Sequence, residues 1–500
     1  MTLDTDSSHS DTPLLDTLEV AEKSRFESDL DVFLRENDAK KALKIWFSRL
    51  SCLPTLKHVP DPQALLGLDI ADLDDLINEQ LKVILHHPKL LQLEAAWRGI
   101  DLLTKIADES TRVKVKLLDI TWKEVTRDIE RSLEFDQSNL FQKIYSDEFG
   151  TPGGEPYGVI ICNYEVQHRP SSGHPFDDMS TLHTLAQIAA AAFSPFILGA
   201  SPAFFGVNKH EELNATLNYE QIFKQHEYIK WRAYRDTEDS RFLALALPRI
   251  LMREPRRHEL STFEGISLKP DTDTHLWGNA AFALGIILIR EFNNVGWFSH
   301  IRGTPRDNIG GGLVVDLPIV SFKTDRPEVA LKPITNTIIT DELEKVLGDQ
   351  GFIPLCQCYD TPFAAFHSNY STQKPKLLDS AAANINARLS AMLQHILCAS
   401  RFAHYIKVMI RDKVGSFFSA QDCESFLQRW LTDYITGTDG LDWDMQAKYP
   451  LRDAKVTVIE RPDKPGFYNS IIHLKPHYQL DQMVSELKLT TELAAVASRR

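Results

Sequence analysis

Apolar residues spaced three or four positions apart are the dominant pattern of this chain, and the longest such stretch is Ser380–Ile410. It contains neither proline nor glycine, and its apolar residues would form a broad stripe along one side of a helix. The pattern therefore predicts a single long helix. The same spacing predicts helices over Lys89–Ala107 and Asp422–Ile435. The apolar face of the first of these would consist of Leu90, Leu93, Trp97, Ile100 and Leu103.

Strand patterns alternate with helical ones in the first half of the chain. Tyr157–Tyr164 is almost continuously apolar and rich in residues that favour strands, which predicts a central strand. Leu182–Phe193 has helical spacing, and Pro195–Leu198 again has the character of a buried strand. Val113–Leu117 alternates apolar residues with lysine, which predicts a half-buried strand. This strand–helix–strand order indicates a mixed α/β core.

The chain becomes strand-rich after Gly437. Ala454–Glu460 and Phe467–Leu474 are predicted as two strands joined by a turn that is rich in proline and glycine. Val484–Leu493 is a third extended candidate. Because little helical sequence is available to cover these strands, we expect their backbone edges to be exposed and to pair with neighbouring chains.

The N-terminal arm has the spacing of a short amphipathic helix that begins near Leu14. Its apolar positions include Leu15, Leu18, Phe26 and Leu30. Two interpretations remain open at this point. The helix docks on its own protein, or it is a peptide-like ligand for a groove on a partner.

Composition and charge narrow the possible function classes. The chain has 500 residues, of which 43% are hydrophobic and 25% charged, as in ordinary globular proteins with two or three domains. Its formal net charge of −14 argues against a general nucleic-acid or anionic-membrane binder. The longest apolar run, Ala280–Ile289, is too short to insert across a bilayer. The acidic N-terminus lacks the features of a secretory signal, so a cytoplasmic location is expected.

Metal and cofactor chemistry is not expected either. The six cysteines are widely scattered, and Cys356 and Cys358 have no companion Cys or His at zinc-like spacing. Gly310–Gly312 precede a predicted strand, whereas a dinucleotide-binding loop follows one, so a tight turn is the better interpretation. Motifs of phosphate-binding loops, α/β-hydrolases and zinc proteases are absent from the sequence. These observations favour a structural protein over an enzyme.

One charged run is the exception that could carry catalysis. Arg235 and Arg241 flank the carboxylates of Asp236, Glu238 and Asp239. General acid–base catalysis needs carboxylates whose surroundings push their pKa values apart, whereas flanking arginines would hold all three ionised. We therefore interpret the five residues as a structural ion-pair network. A cytosolic enzyme with an unrecognised carboxylate site is the alternative, and a non-polymerising adaptor is another.

Several ungapped stretches resemble one family, the large subunit of the type VI secretion contractile sheath (TssC/VipB). Before residue 370 these stretches are His87–Gly99, Pro195–Gly206, Leu247–Arg249, Trp277–Ala281, Ile301–Gly303, Gly310–Leu313 and Gly351–Cys356. In the C-terminal part they are Gln373–Pro375, Asn386–Ser390, Ser400–Tyr405, Arg411–Lys413 and Pro450–Arg452. The resemblance covers roughly residues 60–495.

The resemblance implies a multi-domain fold of the contractile tail-sheath type and a purely structural role. A sheath subunit of this kind pairs with the small sheath subunit (TssB/VipA) and with copies of itself in a helical tube. That tube surrounds the inner tube protein Hcp, is assembled on a baseplate, and is dismantled after contraction by the AAA+ unfoldase ClpV. The resemblance implies no cofactor, no nucleic acid and no membrane insertion.

The resemblance also assigns roles to two segments. The C-terminal strands would complete a sheet shared between protomers, and the unfoldase would grip the N-terminal helix at Leu15, Leu18, Phe26 and Leu30. The predicted organisation begins with an N-terminal helical arm over 1–60, which would serve unfoldase recognition and small-subunit packing. An α/β sheath region over 61–370 follows, and then a C-terminal sheath domain over 371–500 with a strand arm over 451–495. The strand-pairing residues would be Val456, Val458, Phe467, Ile471, Leu487 and Leu489.

Overall fold

The computed structural model describes residues 32–50, 62–108, 112–151, 153–215, 217–254, 275–305, 309–322, 331–359, 361–412, 420–437, 443–460, 468–477 and 487–493. The chain divides into two compact units, Met1–Leu81 and Lys82–Arg500. Helices and several separate sheets make up the larger unit, so the predicted mixed α/β class is confirmed.

The elements are numbered in chain order, with helices of six or more described residues given a label. The helices are α1 (Ala39–Leu50), α2 (Pro62–Leu85), α3 (Pro88–Asp108), α4 (Trp122–Arg131), α5 (Asp178–Ala192), α6 (Ile229–Arg235), α7 (Ala281–Val295), α8 (Asp341–Asp349), α9 (Ala381–Ser390), α10 (Leu393–Asp412), α11 (Ala420–Thr432) and α12 (Trp443–Lys448). The strands are β1 (Ile160–Val166), β2 (Phe196–Ala200), β3 (Leu243–Leu247), β4 (Ile250–Arg253), β5 (Leu276–Gly278), β6 (Leu313–Val314), β7 (Ile353–Pro354), β8 (Cys356–Gln357), β9 (Ala364–Ala365), β10 (Leu451–Glu460), β11 (Tyr468–Pro476) and β12 (Leu487–Leu493).

A parallel sheet with the order β1-β2-β3-β7 organises the larger unit. Successive side chains of a strand point to opposite faces, and β2 follows this rule. Phe196 and Leu198 join one buried cluster with α4 and α5, whereas Ile197 joins a second cluster with α3 and α7. The sheet is therefore covered by helices on both faces. The predicted strand near Tyr157–Tyr164 exists as β1, but it lies at the edge of the sheet and not at its centre.

The side chain of Asn279 contacts both β1 and β2 near the point where their register shifts, between Ile161 and Glu165. We call this side chain the Asn279 wedge. The buried Asn279 amide donates to the Tyr164 carbonyl over 2.9 Å, and its Oδ1 accepts from the backbone N–H of Ala281 over 2.8 Å at the start of α7. A Cβ atom on Gly199 would lie 2.7 Å from the Asn279 side chain. Glycine is thus required at position 199 because the asparagine occupies that space.

Helix α3 has the predicted location, but its buried face matches the predicted one only in part, with Leu103 buried as expected. Leu93 and Trp97 are 55% and 59% exposed, whereas Ala95 and Gly99 are buried. A Cβ atom on Gly99 would lie 2.5 Å from the Phe282 ring of α7. In the same way, a Cβ atom on Gly285 of α7 would lie 2.8 Å from the Leu103 side chain of α3. The two helices therefore approach most closely where a glycine of one faces a large apolar side chain of the other.

Two other expectations are wrong. Val113–Leu117 lies outside any strand and is largely exposed. The long helix predicted over Ser380–Ile410 is interrupted between α9 and α10, because Met392 forms an antiparallel bridge with Tyr370. The backbone N–H of Leu393 donates to the Asn369 carbonyl over 2.8 Å. These backbone bonds replace helical ones, so the helix restarts at Leu393.

Candidate assembly interface

The C-terminal strands form a three-stranded antiparallel sheet with the order β10-β11-β12. Val456 lies opposite Ile472, which in turn lies opposite Leu489, and Leu474 lies opposite Leu487. The two strands predicted from Ala454 and Phe467 are therefore present, and the third extended segment is added next to the second. Strand β12 pairs with β11 along one edge, and no other described strand pairs with its opposite edge.

One face of this sheet is part of a buried core. Val456 and Val458 are only 2% and 7% exposed and pack with Ile472 against α10 and α11. Ile471 points to the other face and is half-buried. The side chains of Val456 and Val458 thus stabilise their own domain. Phe467 lies outside the described residues.

The outer edge of β10 is covered by α11, which corrects the expectation that nothing in the chain covers these strands. Gln428 of α11 donates its Nε2 to the Ala454 carbonyl, and its Oε1 accepts from the backbone N–H of Val456, both over 3.0 Å. One turn earlier, the Glu424 carboxylate accepts from the N–H of Val458 over 3.0 Å. Three backbone groups of this edge are therefore already bonded.

An aromatic cluster fixes α10 beneath the sheet. Phe402 is fully buried and stacks on Trp297, with ring centroids 4.2 Å apart and planes inclined by 21°. Tyr434 and Trp430 approach Phe402 edge-on at 5.9 Å. Stacked and edge-to-face arrangements are the favoured geometries of aromatic pairs. The C-terminal helices and sheet therefore share one rigid core.

Helix α10 also binds the segment 141–154 through a row of basic side chains, which we call the α10 clamp (His404, Lys407 and Arg411). The Arg411 guanidinium donates to the carbonyls of Glu148, Phe149, Thr151 and Gly154 over 3.2–3.5 Å. The Glu148 and Phe149 carbonyls belong to the last short helical turn, Asp147–Phe149, and the Thr151 and Gly154 carbonyls follow it. A cation is favoured at the C-terminal end of a helix.

Lys407 in the α10 clamp is surrounded by aromatic rings. Its Nζ lies 4.7–5.2 Å from the ring centroids of Tyr145, Phe149 and Phe193. The rings attract the ammonium group, but burial lowers the pKa of Lys407 to about 8. The His404 ring donates from Nε2 to the Ala192 carbonyl over 3.0 Å, and burial lowers the pKa of His404 to about 3. The clamp therefore rests on one full charge, Arg411, and on one lysine whose charge depends on pH.

Comparison with known proteins identifies the family of the chain. Residues 68–373 match the family model of the EvpB/VC_A0108 (VipB) tail sheath N-terminal domain, and residues 382–493 match that family's tail sheath gpW/gp25-like domain. The chain is also 36% identical over 432 residues to the type VI secretion system sheath protein TssC1 of Pseudomonas aeruginosa, with 85% of both chains covered. The chain belongs to the VipB family of type VI secretion sheath proteins.

Among solved structures, this VipB-family chain is similar to a sheath tail protein from Desulfitobacterium hafniense at 9% identity. The match covers 63% of this chain and 60% of that one, with a TM-score of 0.28. This score is too low for any residue-level comparison. The resemblance to the family that the sequence indicated is confirmed by the family models and by the Pseudomonas relative.

The VipB-family assignment gives the α10 clamp a place in the domain organisation. Arg411 and Lys407 lie in the region matched by the gpW/gp25-like domain, and the carbonyls and rings that they contact lie in the region matched by the N-terminal sheath domain. Sequence reasoning missed this contact. Arg411 does stand in one of the stretches that carry the family resemblance.

The charged run of this VipB-family chain does not converge on one centre. Arg235 is buried and donates to the carbonyls of Thr372 and Asp349 over 3.0 and 2.8 Å, and burial lowers its pKa to about 10. Glu238 is 67% exposed and pairs with Lys376 over 2.9 Å and with Arg241 over 3.7 Å. Asp236 is exposed. Arg235 thus binds backbone carbonyls, and the ion pairs of the run are those of Glu238 with Arg241 and Lys376.

The pKa values of two carboxylates in this run shift in opposite directions. The hydrogen bond and charge of Lys376 lower the pKa of Glu238, whereas burial raises the pKa of Asp239. Opposite shifts are a feature of acid–base pairs. Glu238, however, is an exposed partner of a lysine and not a group in a closed cleft, and a surface ion pair explains its shift.

The remaining expectations concern the N-terminal helix, metal binding and membrane insertion. The helix that carries Leu15, Leu18, Phe26 and Leu30 lies outside the described residues. In the described part of the chain, no group of three or more His, Cys, Asp or Glu side chains is arranged to hold a metal ion. Within the same residues, no helix combines the length and the apolar character needed to span a membrane.

Proposed function

We propose that this chain is the large structural subunit of a contractile type VI secretion sheath in the cytoplasm, and that it polymerises with the small sheath subunit into a helical tube. The tube would surround the Hcp inner tube, start at a baseplate and contract to propel the inner tube. The observation that carries the proposal is the C-terminal sheet, in a chain of the VipB family, whose last strand, β12, ends the described order β10-β11-β12. A sheet that ends on such a strand offers a row of backbone donors and acceptors to another chain.

The small sheath subunit is the proposed partner of helix α2. Its described surface exposes large apolar side chains at spacings of three and four, which is the repeat of a helix that packs along another helix. Ile70, Leu73 and Ile77 are 51%, 48% and 37% exposed, and Leu76 is 58% exposed. A contiguous apolar stripe of this kind marks an interaction surface.

Contraction in this proposal needs no nucleotide in this chain. The energy would be stored in the packing of the extended tube, and protomers would gain contacts on contraction. Shared strands from Leu451 to Leu493 would keep protomers connected throughout. The contracted tube would then be recycled by ClpV, which would hold the N-terminal helix at Leu15, Leu18, Phe26 and Leu30.

Negative-stain microscopy of the chain co-expressed with the small sheath subunit tests the proposal. We expect long tubes with a cogwheel cross-section, whereas uniform small particles would support the adaptor and refute the sheath. A deletion of Val484–Arg500 should abolish tubes, since it removes β12. Normal tubes from the truncated chain would refute the role of the strand arm.

A second experiment separates recycling from assembly. The double substitution Leu15→Asp and Leu18→Asp should leave tubes intact and weaken their capture by ClpV, because charges disrupt the apolar face of the helix. Sheath disassembly by ClpV with ATP measures the effect. Equal disassembly of variant and unmodified tubes would contradict the assignment of the unfoldase site.

A further inference from the structure

The bonds between α11 and β10 have a geometry that imitates a neighbouring strand. The side-chain amide of Gln428 donates to the Ala454 carbonyl and accepts from the Val456 N–H, as the peptide group of an added strand would do. Glu424 accepts from the next outward-facing N–H, that of Val458. The carboxylate makes this last bond charge-assisted and stronger than a neutral one.

The repeat of the helix matches that of the strand edge. Glu424 and Gln428 are four residues apart, a rise of about 6 Å along a helix. Outward-facing groups of a strand recur every second residue, at about 6.7 Å. Helix α11 runs antiparallel to β10, so two successive turns meet two successive N–H groups. Because the spacing of helical turns agrees with the spacing of outward-facing strand groups, α11 bonds to β10 at two successive positions and not at one.

Helix α11 is held firmly against the sheet. Cys423, Leu427 and Leu431 are buried, and they pack in the same cluster as Val456 and Val458. An incoming strand would have to displace these apolar contacts as well as the three hydrogen bonds. The β10 edge therefore differs from the other end of the sheet, where β12 is the last described strand.

We propose that Glu424 and Gln428 form an edge guard, which closes β10 and restricts strand addition from a second copy of this chain to the β12 side of the sheet. This inference rests on the proposed sheath function. A sheet with two open edges would accept neighbours on either side and could extend without limit, as in aggregates. A sheet with one closed edge accepts an added strand on the other side only, so pairing on both sides is blocked.

The test compares the chain with the double variant Glu424→Ala and Gln428→Ala. Hydrogen exchange of the unassembled protein, resolved to single amides by mass spectrometry, should show Val456 and Val458 exchanging at least tenfold faster in the variant. The amide of Thr457, which faces β11, should keep its rate. Arg429→Ala, at an exposed neighbouring position of α11, is the matched control and should leave all three rates unchanged.

Assembly provides the second readout. Co-expressed with the small sheath subunit, the double variant should form laterally associated sheets, branched bundles or aggregates, whereas Arg429→Ala should form regular tubes. Unchanged exchange of Val456 and Val458, or regular tubes from the double variant, would overturn the edge guard. Gln428→Met serves if the double variant fails to fold, because it keeps the length of the side chain and removes both of its bonds to β10.

The two proposals fail in different ways. Absence of tubes from the unmodified chain would refute the sheath function and leave the exchange experiment valid, since that experiment uses unassembled protein. Regular tubes from unmodified and double-variant chains alike would refute the edge guard and leave the sheath function standing.

Discussion

Replacing Arg411 by methionine should weaken the attachment of α10 to the segment 141–154. Methionine retains an unbranched apolar stem but removes every donor that reaches the carbonyls of Glu148, Phe149, Thr151 and Gly154. The guanidinium side chain is only 19% exposed, so water does not freely replace it. The change therefore leaves partly buried acceptors without their shared cation.

The magnitude follows from the geometry of these bonds. A hydrogen bond to a charged group contributes ~1.5–3 kcal/mol. The distances of 3.2–3.5 Å are long for such bonds, and one guanidinium is shared by four carbonyls. The four bonds together therefore contribute less than four times the energy of a single strong bond. We expect a loss of about 3 kcal/mol in the free energy of unfolding, equivalent to a fall of ~3 °C in the thermal midpoint of a unit of this size.

Hydrogen exchange locates this loss. Amides of residues 148–154 should exchange about a hundredfold faster in Arg411→Met, because ~1.4 kcal/mol corresponds to a factor of ten. Arg411→Lys should recover part of the stability, since an ammonium group keeps the charge but reaches fewer carbonyls. Arg388→Met is the control, because Arg388 is a 57% exposed partner of Asp349. If Arg411→Met and Arg388→Met have equal midpoints and exchange rates, the clamp argument is wrong.

Three further changes test other parts of the structure. Gly199→Ala places a methyl group within 2.7 Å of Asn279 and should cost about 1–3 kcal/mol in stability, measured by thermal denaturation; a stability equal to that of the unmodified chain would contradict the wedge. Phe402→Ala empties the space beside Trp297 and should cost about 3–5 kcal/mol with loss of the near-ultraviolet circular dichroism of that tryptophan; an unchanged spectrum would contradict the stacking. Lys407 has a folded pKa of about 8, below that of the unfolded chain, so the unfolded state binds the extra proton above pH 8 and stability rises with pH from there towards 10.5. Lys407→Met should have a higher thermal midpoint at pH 7 and lack this rise, and equal pH slopes of the two proteins would refute the shift.

The sequence predicted elements better than it predicted how they contact one another. Helix α3 was located from its apolar spacing, and Leu103 is buried as expected, yet Trp97 is exposed and Gly99 is buried. Hydrophobicity ranks tryptophan above glycine, but close packing against Phe282 of α7 selects the residue with no side chain. Such a contact depends on a partner 183 positions away in the chain, which periodicity alone does not reveal.

Long-range backbone bonds account for other differences. Nothing local in Ala391 and Met392 ends a helix, and the break results from the bonds of the segment around Tyr370. The alternating pattern of Val113–Leu117 favours a strand, but that segment has no strand partner in the described structure. A β-strand needs a neighbouring strand to pair with, so an alternating apolar and polar sequence is not sufficient by itself.

The candidate interface was predictable in outline and not in detail. Proline and glycine in the turn and the alternation of Val456 and Val458 located the β10–β11 hairpin. The closed edge of β10 was not foreseen, because Gln428 and Glu424 have the composition of any exposed helix surface. Their role depends on α11 lying beside the strand, and this placement follows from the burial of Cys423, Leu427 and Leu431.

The Asn279 wedge has a consequence for how this protein can change over generations. Gly199 and Asn279 occupy one volume, so a larger residue at position 199 is acceptable only after the asparagine has gone. Loss of the asparagine first leaves the Tyr164 carbonyl and the N–H of Ala281 without their shared partner. Each single replacement is therefore destabilising, whichever comes first. The two positions can change one at a time only through an intermediate protein of lower stability.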